Sequence, residues 1–328
     1  MSLHSICTEK SSREFHQVVL DQDVQLRPKD ELTTKNPKKV GRCLQILDIS
    51  SSQEKEIRWS RRIKGMFYGL ALGDALGAPH EFKISPRVDT YYTGDLKHQV
   101  IIPSRYQGVR FGVPGQVTDD TEMTIALIQA LIENNGKYSP EIAVRHYQEW
   151  ANSKPMGMGK NTRRLFHGVK TYRGYYQRYQ KAKGYGDLDT TESNGSLMRC
   201  APLALFVNPN DLETLRPGLD DTSLTNPCYL NQAITMLYLL LLAYALRGDD
   251  ATGLFNKLEE IITYDPDLHP EILVILEDIS SGQTRNVQGK GQGWVAHSFY
   301  AALYGLRCYQ EKGSFKEALD KVIRCVGD

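Results

Sequence analysis

From about Arg58 to the end of the chain, apolar residues recur three and four positions apart, the period of a helix with one buried face. Ile63, Met66, Phe67, Leu70 and Ala71 follow this spacing, and Met123 to Ile132 forms an apolar-rich stretch. Ser139-Pro140-Glu141 predicts a helix start: a serine cap, proline in the first helical position and an acid in the first turn. That helix should run to about Trp150 and stop before Pro155. Asn231 to Leu246 is apolar on nearly every face, which predicts a central helix buried by its neighbours, stopped at Gly248. Further helices are expected over Pro270 to Ile279, over Trp294 to Gln310 and over Phe315 to Cys325. Ser314 and Glu317 should form a capping box for the last of these. No run of alternating strands stands out and no internal repeat is visible. The prediction is one all-α domain over residues 58–328.

Residues 1–57 read differently. Arg27-Pro28-Lys29-Asp30-Glu31 and Lys35-Asn36-Pro37-Lys38-Lys39 mix charges, broken by short apolar patches at Val18 to Leu20 and Leu44 to Ile49. They are expected to be an N-terminal extension, partly disordered, with one or two short elements docked on the main domain. Its first 25 residues have no apolar core, so no secretory signal is expected.

Composition narrows the function classes. Of 328 residues, 41% are hydrophobic and 24% charged, the balance of a globular protein rather than a disordered or fibrous one. With 40 Lys plus Arg against 39 Asp plus Glu, the net charge of +1 supplies no global field for a polyanion, so no nucleic acid partner is expected. The apolar run Met236 to Leu246 is short for a bilayer, so no membrane association is expected either. Six cysteines without a CxxC pair give neither a disulfide framework nor a thiolate zinc site, and a cytoplasmic location with reduced thiols follows as the expectation.

Four segments carry candidate chemistry. In Gly115-Gln116-Val117-Thr118-Asp119-Asp120-Thr121-Glu122 a hydroxyl and two carboxylates meet at a helix start. Three hard oxygens there suit Mg²⁺, Mn²⁺ or Ca²⁺. The competing reading makes Thr118 an ordinary N-cap and the acids a response to the helix dipole, though one cap needs only one such group. In Gly69-Leu70-Ala71-Leu72-Gly73-Asp74-Ala75-Leu76-Gly77-Ala78-Pro79-His80-Glu81, the glycines form a bare stripe suited to close helix packing. Asp74 and Glu81 beside that stripe invite a site. Ser193-Asn194-Gly195-Ser196-Leu197-Met198-Arg199 is a polar turn running into a helix, where backbone amides can hold phosphate oxygens or simply close a turn. Gly289-Lys290-Gly291-Gln292-Gly293-Trp294-Val295-Ala296-His297 is a glycine-rich loop ending in an aromatic, either a flap with a stacking Trp or a connector.

The motifs GDALGxPxE, PGQxTDDTxM, NGSxMRxxPL and GxGWVxHSxxAALY, in this order, closely resemble the ADP-ribosylglycohydrolase family, and most closely its bacterial branch that removes ADP-ribose from arginine of nitrogenase reductase. The resemblance covers residue 58 to the C-terminus. It implies a compact all-α fold of orthogonal helices and two metal ions, Mg²⁺ or Mn²⁺, at the bottom of a cleft. It implies metal ligation by Thr118, Asp119 and Asp120, with Asp328 as the first acid of a C-terminal Asp-x-Asp-Thr motif. It places Glu81 at the substrate mouth and makes Asp119, Asp120 and Glu81 the catalytic candidates. Asn194, Gly195, Ser196, Gly293, Trp294 and His297 become substrate-binding candidates. The implied partner is an ADP-ribosylated protein or ADP-ribose, and a monomer is expected. The implied activity is metal-dependent hydrolysis of the N- or O-glycosidic bond joining ADP-ribose to a side chain, the alternative being an inactive ADP-ribose-binding relative.

The sequence differs from the family pattern in three places. It reaches only Asp328 of the C-terminal metal motif, so half the metal ligands are expected to be missing from these residues. Gly157 stands where the bacterial branch has an acid, and Asn226 stands where Thr-His-Pro is usual.

Overall fold

The computed structural model describes Leu3 and residues 53–80, 114–188, 190–265, 267–287 and 291–326. Glu81, Asp328 and nearly all of the N-terminal extension lie outside the described residues. Eleven α-helices occur within them: α1 Gln53–Gly77, α2 Asp119–Glu133, α3 Pro140–Asn152, α4 Lys160–Phe166, α5 Tyr172–Gly184, α6 Arg216–Ser223, α7 Tyr229–Arg247, α8 Ala251–Tyr264, α9 Pro270–Ser281, α10 Val295–Lys312 and α11 Phe315–Val326. Among the described residues no strand forms, only isolated bridges between Ser193 and Trp294 and between Asn208 and Asp211. The all-α expectation therefore holds.

The core is organised around α7. From Leu230 to Leu241 all but Tyr238 are buried, and α1, α6, α8 and α10 pack around the helix. By length and composition α7 could cross a bilayer, contrary to the reading of its apolar run as too short. However, 67% of its most apolar window is buried by neighbouring helices, as in the core helix of a globular domain. Gly248 ends it at φ 116°, a left-handed conformation that glycine adopts without steric cost. Arg62 uses the absence of a side chain there. Its Nη2 lies 2.6 Å from where a Cβ would stand, and its Nη1 donates to the Leu246 carbonyl at 3.3 Å.

The cap predicted for α3 forms, with Ser139 Oγ accepting from the Ile142 amide at 3.4 Å. On α11, Ser314 Oγ accepts from the Glu317 amide at 3.3 Å. Helices α4, α5, α6 and α8 carry weaker signals. The buried positions of α5 are Tyr175, Tyr179 and Ala182, set among polar and basic residues, so its apolar face is made of rings. Tyr175 stacks on Phe166 with centroids 5.4 Å apart, and Phe166 meets Tyr147 at 5.6 Å.

Two expectations are corrected. The Asn-Gly-Ser turn enters short 3-10 turns, Leu197–Arg199 and Ala201–Phe206, and no α-helix start stands there to bind phosphate. The glycine stripe of α1 is not closely packed among the described residues, because a methyl on Gly69 or Gly73 would meet nothing within 4 Å.

Candidate active site

The start of α2 is built from two distant stretches of chain. Gly115 turns with φ 84°, and Thr118 takes the extended backbone of an N-cap. Its side chain does not cap. The Thr118 hydroxyl donates to Asp74 Oδ1 at 2.6 Å. The other Asp74 oxygen accepts from the amides of Thr118 (2.8 Å) and Thr121 (3.2 Å) and from the Thr121 hydroxyl (2.6 Å). Asp74, on α1, therefore answers the exposed amides and the positive end of α2. The N-cap reading of the Thr118 side chain is thereby excluded. Having donated its proton to Asp74, the hydroxyl keeps oxygen lone pairs for another partner. Asp120 Oδ2 lies 3.4 Å from it.

Negative charge accumulates around this point. Burial raises the Asp119 carboxyl above its ordinary range; the amides of Asp119 itself and Gly159 pull it down and the charge of Asp74 pushes it up. Glu122 is raised by burial too, against a hydrogen bond from Trp150 Nε1 at 2.7 Å, with Asp119 and Asp74 adding to the rise. No cationic side chain among the described residues is among these causes. Among those residues no three His, Cys, Asp or Glu side chains form a finished metal cage. Thr118, Asp119 and Asp120 nevertheless offer what Mg²⁺ or Mn²⁺ takes, three hard oxygen donors side by side, and so fit part of such a site.

The loop 193–196 lies nearby. The Thr124 hydroxyl of α2 faces the Met198 carbonyl at 3.4 Å. Beneath the loop is Arg199, fully buried like Asp221. Its Nε donates to Asp221 Oδ2 (2.9 Å), its Nη2 to the Asp221 carbonyl (2.9 Å) and its Nη1 to the Gly195 carbonyl (2.6 Å) and Thr225 Oγ1 (3.1 Å). The Tyr147 and Tyr138 hydroxyls donate to Asp221 Oδ1 at 2.8 and 3.2 Å. Burial works against the charge of Arg199, but Asp221 and the tyrosines hold it on and raise its pKa. Asn231 Nδ2 reaches the Ser193 carbonyl (2.7 Å) and Ser196 Oγ (3.2 Å). Asn226, only 1% exposed, donates to the Thr191 and Ser193 carbonyls and to Ser193 Oγ. It thus organises the loop from below.

The glycine–tryptophan segment joins the same place. The Asn194 amide donates to the Gly293 carbonyl at 2.9 Å and Asn194 Nδ2 to Ser298 Oγ at 3.1 Å. The indole of Trp294 donates to Glu192 Oε2 at 2.7 Å and meets the His297 ring edge-on at 4.9 Å. His297 Nδ1 lies 2.8 Å from the Gly291 carbonyl, which fixes that nitrogen as the protonated one. Trp294 is therefore docked on its surroundings rather than hanging from a loose flap. Asn194, Gly195, Ser196, Gly293, Trp294 and His297 form one group, beside the Thr118–Asp120 group.

Sequence reasoning left two residues without a role. Asp74 was visible as an acid beside a bare stripe, but its partner lies 44 positions away. Arg199 stood inside the Asn-Gly-Ser motif without an assigned role, since an arginine at the end of a polar turn usually faces solvent.

A helical fold that collects carboxylates at one helix start and sets a pinned Asn-Gly-Ser loop beside them has the organisation of a glycohydrolase-family domain. The chain belongs to the ADP-ribosylglycohydrolase family, whose profile matches residues 55–328. It is 35% identical over 157 residues to the ADP-ribosyl-[dinitrogen reductase] glycohydrolase of Rhodospirillum rubrum, a match covering 46% of this chain and 47% of that protein. It is 27% identical over 256 residues to the ADP-ribosylarginine hydrolase Tri1 of Pseudomonas putida, covering 75% of this chain and 61% of the relative. The chain thus spans between about half and three fifths of these two curated relatives. A solved structure described as an ADP-ribosylglycohydrolase-related protein complex superposes with a TM-score of 0.58 at 25% identity, over 82% of each chain.

Proposed function

We propose that this chain takes part in metal-dependent hydrolysis of the glycosidic bond between ADP-ribose and a protein side chain. The observation that carries this reading is the start of α2, where Asp74 does the capping and the Thr118 oxygen stands with the carboxylates of Asp119 and Asp120, hard donors of the kind Mg²⁺ and Mn²⁺ take. Thr118, Asp119 and Asp120 would hold a Mg²⁺ or Mn²⁺ ion, which supplies charge to grip ribose hydroxyls and to polarise a water.

The chain's own residues divide the remaining work. The loop 194–196, held from beneath by Arg199 and Asn231, presents a fixed polar edge to the sugar phosphate. Trp294 and His297 bound the same place with an aromatic wall. The bond to be broken joins C1 of the distal ribose to a side-chain nitrogen or oxygen, and breaking it builds oxocarbenium character at C1. Water adds to C1, the leaving atom takes a proton, and a carboxylate of the cluster, Asp119 or Asp120, carries that proton between them.

The test is release of free ADP-ribose from an arginine-ADP-ribosylated peptide in the presence of Mg²⁺. Release that is lost in Asp119→Ala and Asp120→Ala supports the reading. Tight binding of the peptide without release would make the chain a binder of ADP-ribose instead.

A further inference from the structure

Between Glu149 and Asp187 the chain has nine Lys or Arg residues and no Asp or Glu, in a protein whose net charge is +1. The stretch forms α4 and α5. Lys160, Arg163, Lys170, Arg173 and Lys181 are all exposed, and none has an ion pair among the described residues. Other surface cations do have acids beside them, as Lys257 has Glu260, Arg307 has Glu311 and Arg324 has Asp320. Arg178 locks the two helices together by donating to the carbonyls of Arg164 (3.1 Å) and His167 (2.6 Å), so the basic positions share one rigid support. Asp187 offsets only Arg164, at 2.6 Å.

The strip begins at the candidate active site. Gly159, whose amide serves Asp119, immediately precedes Lys160 at the start of α4. At ~1.5 Å per residue, α5 extends the strip by about 20 Å, well beyond the reach of one pyrophosphate. Unpaired cations spread over that distance match an extended anionic surface. We propose that α4 and α5 dock an acidic surface of the protein that carries the ADP-ribose, so that the enzyme selects targets whose modified side chain lies beside Asp and Glu residues. This rests on the function proposed above and adds the kind of target.

The test uses two fluorescent arginine-ADP-ribosylated peptides, identical except that glutamates flank the modified arginine in one and glutamines in the other. Binding to the full chain is read by anisotropy at low salt and at ~0.15 M salt. The glutamate peptide should bind about tenfold more tightly at low salt, and less so at the higher salt. In Lys170→Glu/Arg173→Glu/Lys181→Glu that preference should vanish while the glutamine peptide binds as before. Lys170→Gln/Arg173→Gln/Lys181→Gln should fall between, and circular dichroism reports whether each variant is folded. A glutamate peptide that binds equally tightly with and without ADP-ribose, and more tightly than its glutamine counterpart, keeps the docking surface and counts against the ADP-ribosyl reading. Equal binding of the two peptides by the unaltered chain overturns the proposal. So does tighter binding of a single-stranded oligonucleotide of matched charge, lost in the same variant, which would make the strip a nucleic-acid surface.

Discussion

The start of α2 gathers the carboxylates of Asp74, Asp119, Asp120 and Glu122 around one point, whereas the Asn194–Ser196 loop rests on an arginine and an aspartate that satisfy each other away from water. In the first region acids are crowded together. Burial and the charge of Asp74 oppose ionisation of Asp119 against the pull of two backbone amides, and a bound cation is the counterweight that the proposed function supplies. In the second, Arg199 spends all three of its guanidinium nitrogens on Asp221, Gly195 and Thr225. The difference separates a place where like charges crowd from a place where opposite charges satisfy each other.

The comparison breaks most sharply at Arg199. Arg199→Met leaves Asp221 buried without its countercharge and should cost about 3–5 kcal/mol in urea unfolding, with Asp221→Leu added to it recovering part. A loss of less than ~1 kcal/mol, the scale of an exposed pair, would show that the loop does not depend on this pair. Next comes Asp74→Ala, which removes the acceptor for two amides and two hydroxyls at the start of α2. A loss of about 1–2 kcal/mol is expected in the metal-free protein, together with weaker Mn²⁺ binding by calorimetry.

Asp220 sharpens the contrast through pH. Burial raises its carboxyl to about 6, against the pull of Arg216 and with the push of Asp221. The folded state therefore holds a proton that the unfolded chain, at an ordinary value of about 3.9, has released. Stability from this group is fully present below pH ~4 and is lost as pH rises to about 6. Asp220→Asn should flatten that slope and raise stability at neutral pH by about 1–2 kcal/mol, allowing for the partial exposure of the side chain. Urea titrations at several pH values would show it, and an unchanged slope would remove Asp220 from the account.

The smallest effect on folding belongs to Asp119→Asn. Removing one of several repelling charges should leave metal-free stability unchanged or up to ~1 kcal/mol higher, while the rise in melting temperature produced by Mn²⁺ disappears. A large loss of metal-free stability would instead make Asp119 a structural residue.

Helices with a strong apolar period and clear end signals were legible: α3 with its serine cap and Pro140, α7 with Gly248 behind it, and α10 closed by Gly313. Helix α5 was not, because its buried face consists of tyrosines, which read as polar as easily as apolar. The Thr118–Asp120 trio was visible as chemistry, but its two readings could not be separated along the chain. Asp74 takes the capping role from the Thr118 side chain, and only folding brings α1 to the start of α2. Trp294 invited the reading of a mobile flap until its indole was found on Glu192, 102 positions away.

Local spacing by itself determined which stretches coil, where they start and stop, and which oxygen-bearing side chains sit next to one another, because helical period, caps and adjacent residues are short-range properties. Tertiary structure alone decided which helix supplies the cap of α2, which arginine is buried and which basic residues go unpaired. Those outcomes depend on what stands across a gap between elements distant in sequence, where burial and the distance between charges set their energies.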